Sequence, residues 1–81
     1  MDTITKRETK TADELATMIL ADISQLEGCP VKGLTVHVYG IPWKAVLMIG
    51  AAAGPVRNQA EIMRFFDIIV ERYQRLYDAI V

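Results

Sequence analysis

The sequence predicts an α+β domain of order α-β-β-α, an antiparallel β-hairpin packed against two helices, the second of them long. Three stretches predict it. Residues 33–53 read as two short strands joined by Gly40-Ile41-Pro42-Trp43. Residues 11–27 carry a helix-start signal and an apolar stripe. Residues 55–80 carry a second, wider stripe.

The first helix opens on Thr11-Ala12-Asp13-Glu14, a capping box. The Thr11 hydroxyl can accept the Glu14 N–H while the Glu14 carboxylate reaches back to the Thr11 N–H. Asp13 and Glu14 also suit the positive end of the helix dipole. Leu15, Ala16, Ile19, Ile23 and Leu26 then recur at helical spacing to about Glu27. Gly28 and Pro30 supply the stop. Residues 1–10 are polar and of mixed charge, and read as a flexible tail before a single domain over 11–81.

The hairpin register is readable from alternation. Pairing Leu34 with Ile49, Val36 with Leu47 and Val38 with Ala45 gathers the apolar set on one face. Thr35, His37, Tyr39, Lys44, Val46 and Met48 then share the other. A slip of one residue would mix the two sets. A type I′ turn on Ile41-Pro42 is excluded because proline holds φ near −65°. That leaves a trans four-residue loop, which base rates favour, or a type VI turn with a cis Ile41–Pro42 bond.

The second helix is expected to start at Pro55 or Asn58, with Glu61 completing a second capping box in the later case. Its apolar face runs through Ile62, Phe65, Phe66, Ile69, Val70, Tyr73, Leu76, Tyr77 and Ile80. A helix of about 25 residues would be about 37 Å long, against about 23 Å for the strands. Its aromatic end would overhang unless covered. A lone hairpin also leaves two open edges. A homodimer, extending the sheet or pairing the helices, answers both. At 81 residues, with 52% hydrophobic and 23% charged, one modest core is all the chain can build.

Composition excludes several functions. A net charge of −1 argues against diffuse binding to nucleic acid or anionic membrane. No apolar run approaches a membrane span. The N-terminus lacks a secretory pattern and there is one cysteine, so a cytoplasmic protein without disulfides is expected. One histidine and one cysteine cannot form a tetrahedral zinc site, and no acidic loop resembles a calcium site; no metal or cofactor is expected. No catalytic set is visible.

Two weaker chemistries remain. Gly50 to Asn58 leaves a strand, is rich in small residues and opens a helix. Gly50, Gly54, Arg57 and Asn58 could therefore cradle an anion. Arg57, Arg64 and Arg75 share one helical face and could contact phosphates, although Glu61 and Glu71 interrupt the stripe. His37, Tyr39, Trp43, Val46, Met48, Tyr73 and Tyr77 are assigned to an interface. The leading expectation is a homo-oligomeric protein acting through protein contacts. A module for an anionic ligand, either a phosphorylated metabolite or nucleic acid, comes second. A minimal enzyme using His37 or Cys29 at a dimer interface comes third.

Overall fold

The computed structural model describes residues 7–30 and 32–80. The expected tail therefore lies outside the described residues over 1–6. Its last part is ordered as a strand. β1 spans Glu8–Thr11, α1 Ala12–Ile23, β2 Leu34–Tyr39 and β3 Lys44–Ile49. A short 3-10 turn over Ala51–Ala53 leads to α2, Gln59–Leu76, and β4, Tyr77–Ile80. The fold is mixed α+β, with a hairpin against two helices, and it gains two strands beyond the expected four elements.

β2 and β3 pair antiparallel in the register that alternation predicts, from Leu34 with Ile49 to Tyr39 with Lys44. Val36, Val38 and Leu47 are buried on one face. They meet Leu15, Ile19 and Ile23 of α1 and Ile62, Phe66, Ile69 and Val70 of α2, which form the rest of the core. The two helices thus make one layer and the hairpin the other.

β1 and β4 form a second, parallel two-stranded sheet, with Glu8 opposite Tyr77 and Thr11 opposite Ile80. Each strand joins its helix without a loop. Thr11 is at once the last residue of β1 and the N-cap of α1, with φ −73° and ψ 159°. N-cap residues take extended dihedrals, so the strand can run into the helix unbroken. Tyr77 does the same at the other end, at φ −133° and ψ 144°. The second helix therefore stops at Leu76 and does not continue through Ile80. Tyr77 and Ala79 are half-buried while Asp78 and Ile80 are exposed, an alternation of period two.

The capping box forms as expected: Thr11 Oγ1 accepts from Glu14 N at 3.1 Å, and Glu14 Oε1 accepts from Thr11 N at 2.9 Å. That backbone N–H is the main reason the Glu14 carboxyl sits below its usual range. α1 ends earlier than Glu27, at Ile23, and the chain turns through Gly28 at φ 87°. α2 starts at Gln59, but Asn58 makes no side-chain cap. Its amide donates instead to Glu27 O at 3.2 Å, tying the end of the first connection to the start of α2.

The hairpin turn corrects the trans four-residue loop: the Ile41–Pro42 bond is cis, with proline in the third position of the turn. Gly33 allows a second close fit. It has φ 86°, and a Cβ there would fall 2.2 Å from Ala53 N. Its carbonyl accepts from Gly50 N at 2.7 Å. The connections on either side of the hairpin therefore cross in contact. Among the described residues, no helix is long and apolar enough to cross a membrane.

Candidate functional site

The outer face of the hairpin is set by the same alternation that builds the core. Thr35, His37 and Tyr39 of β2 and Lys44, Val46 and Met48 of β3 are all exposed. Tyr39 is 44% exposed and Met48 50%, with no described element over them. The His37 and Tyr39 rings, two residues apart on one strand, stack at 5.7 Å between centroids with 13° between planes. Lys44 is the only charged residue of this face. No carboxylate of the described residues is bonded to His37, the orienting partner a catalytic imidazole would use.

The seven residues assigned to an interface fall into two groups. His37, Tyr39, Val46 and Met48 share the outer face. Trp43, Tyr73 and Tyr77 lie where the hairpin tip meets α2 and β4. Trp43 is only 5% exposed. Its indole Nε1 donates to Tyr77 O at 2.9 Å, and Gln74 Nε2 donates to Trp43 O at 2.9 Å. Trp43 thus bolts the hairpin tip to the junction of α2 and β4. Its indole N–H is thus used within the fold.

Tyr73 and Tyr77 are half-buried and meet edge to face at 5.6 Å. The Tyr73 hydroxyl donates to Asp22 Oδ2 of α1. Burial, reinforced by the Asp22 carboxylate, pushes its pKa up to about 12. Lys10 of β1 places its ammonium 5.7 Å from the Tyr77 ring centroid. The two tyrosines of this end are therefore partly covered from within, by α1 and β1, while Leu76 and Ile80 stay exposed.

The glycine-rich loop spends several of its amides internally. Gly50 N donates to Gly33 O, Ala53 N to Gly50 O and Gly54 N to Ala51 O. Asn58 is turned to Glu27. Arg57 and Arg64 are exposed, and Arg75 approaches Glu71 at 3.8 Å. Cys29 is half-buried, and burial raises its thiol pKa, which lowers the thiolate fraction at neutral pH. Among the described residues no three His, Cys, Asp or Glu side chains gather as a metal site would need.

A cleft of about 390 Å³ opens at the hairpin tip. Ile41, Pro42 and Trp43 line it from the turn, and Gln74, Asp78 and Ala79 from α2 and β4. Gly40 and the exposed Arg7 and Lys44 complete the lining. Arg7 Nη1 is 3.2 Å from Asp78 Oδ1. No local motif announces this cleft, because it needs residues 7, 41–44 and 74–79 brought together by β1–β4 pairing. No protein-family model matches the chain, and neither a curated protein nor a solved structure matches it significantly.

Proposed function

We propose that this protein acts through protein–protein contacts, by self-association across the outer face of the β2–β3 hairpin. One observation carries the reading: Tyr39, Val46 and Met48 form a contiguous, half-apolar surface on a sheet only two strands wide. Such a sheet gains by being covered. A second copy is the partner that suits it. The face carries no acid and one cation, Lys44, at its tip end. Two copies packed face to face with strands antiparallel place their lysines at opposite ends, so like charges stay apart. A strand of six residues is about 20 Å long, and two strands with their side chains are about 10 Å wide. That face alone covers far less than the roughly 800 Å² per partner of a standard interface. The association is therefore weak and concentration-dependent. The raised thiol pKa of Cys29, and the lack among the described residues of a carboxylate bonded to His37, favour contact over catalysis as its role.

Sedimentation equilibrium from micromolar to millimolar protein tests this. The expected mass rises from 9.1 kDa towards twice that value. Val46→Asp should hold the mass at the lower value with its unfolding midpoint little changed, since Val46 is exposed. A wild-type mass that stays at the monomer value to millimolar concentration sinks the proposal.

A further inference from the structure

We infer that the cleft at the hairpin tip binds a small monocarboxylate with a short apolar body. Its volume of about 390 Å³ falls in the range of small-molecule sites, and so does its make-up, apolar walls with few polar groups. Ile41, Pro42 and Ala79 supply aliphatic surface, and Ile41 is 87% exposed, an apolar side chain for a ligand to cover.

The charges select the head group. Arg7, Lys44 and Asp78 line the cleft, two cations against one carboxylate. Arg7 and Asp78 answer each other at 3.2 Å. Among the described residues Lys44 has no acidic partner, so one ammonium is left uncompensated. A single carboxylate balances it. A phosphate dianion would bring more charge than one lysine offers, and an amine would meet a cation. Gln74 adds direction: one of its amide hydrogens is held by Trp43 O, which fixes the plane of the group and leaves a second N–H and an oxygen. Trp43 itself offers no donor, since its indole N–H is committed to Tyr77 O. The cleft is separate from the self-association reading, although Lys44 touches both surfaces.

The test uses 3-phenylpropionate, 3-phenylpropanol and 3-phenylpropylamine, which share a body and differ in charge. Backbone amides are followed by NMR at a protein concentration where the mass is that of the monomer. The expected result is shifts at Ile41, Trp43, Lys44, Gln74 and Ala79, with the carboxylate tightest and the amine weakest. Lys44→Met should weaken the carboxylate about five- to tenfold and leave the alcohol unchanged. Asp78→Asn should tighten the carboxylate about threefold, by removing the competing anion. Both positions are exposed, and an unchanged amide spectrum elsewhere confirms that each variant folds. Equal binding of the three probes overturns the assignment, as do shifts confined to other residues or none at 10 mM probe. Movement of the Ile41, Gln74 and Ala79 amides, which lie off the outer hairpin face, with protein concentration alone also overturns it, since a second copy would then fill the cleft.

Discussion

β2 and β3 lie four residues apart and pair antiparallel, whereas β1 and β4 pair parallel from positions 8 and 77. The first pair closes a short loop, and its register is dictated by which side chains must be buried. The second closes nearly the whole described chain, and most of its residues are exposed. Loop closure costs more for the second pair, and its own contacts return less. It persists because its strands continue from helices already placed by the core. The hairpin is a structure the chain makes, while the β1–β4 clasp is a structure the rest of the fold permits. Trp43 is where the two meet.

Breaking that joint should have the largest effect. Trp43→Ala removes a buried indole and should cost about 3–5 kcal/mol in urea unfolding. Trp43→Phe keeps a ring but deprives Tyr77 O of its donor, for a loss of about 1–3 kcal/mol. A Trp43→Ala protein as stable as wild type would mean the clasp stands without the hairpin.

Next comes a test inside the hairpin. Leu47→Ala, on the buried face, should cost about 2–4 kcal/mol, while Val46→Ala beside it should stay within about 0.5 kcal/mol in dilute protein. Equal losses would contradict the register.

A smaller effect belongs to the hinge between clasp and helix. Thr11→Ala should cost about 1 kcal/mol, by removing the N-cap hydroxyl. Glu14 gives this cap a pH signature. Its folded pKa is depressed, so its contribution is complete above the ordinary carboxylate value of 4.5. It fades as pH falls through the lower folded value. Stability curves of wild type and Glu14→Gln should therefore converge in acid. The smallest effect is expected at the clasp's own ion pair. Arg7→Gln should change stability by less than about 1 kcal/mol, because both partners are half-exposed.

These regions also differ in how legible they are in sequence. The hairpin faces follow from strict alternation of Thr35, Val36, His37 and Val38 against Val46, Leu47 and Met48. The α1 start follows from a four-residue motif. β1 has no such trace: Glu8 to Thr11 are all polar, and their partner is most of the chain away. Tyr73, Leu76, Tyr77 and Ile80 fit a helical stripe, so the switch to period two at Tyr77 is hidden. Without β4, nothing in the sequence shows what buries Trp43. At the tip of an isolated hairpin an indole would be exposed, and the surface that buries it comes from β4 and α2. The outer hairpin face was visible in sequence, and the tip cleft was not, because a third of its lining, Arg7, Asp78 and Ala79, comes from β4 and the residue before β1.

The crossing at Gly33 bears on what variation the chain can tolerate. A side chain there would meet Ala53 backbone at 2.2 Å, and backbone cannot swing aside as a side-chain end can. Around Gly54 a Cβ meets nothing within 4 Å, so only its backbone conformation resists change. In a library of random variants selected for folding, position 33 should accept no replacement, and position 54, at φ 71° and ψ −165° where essentially only glycine is at ease, should accept few. The chain's narrowest tolerance thus falls on a residue with no side chain at all, in a connection rather than in the core.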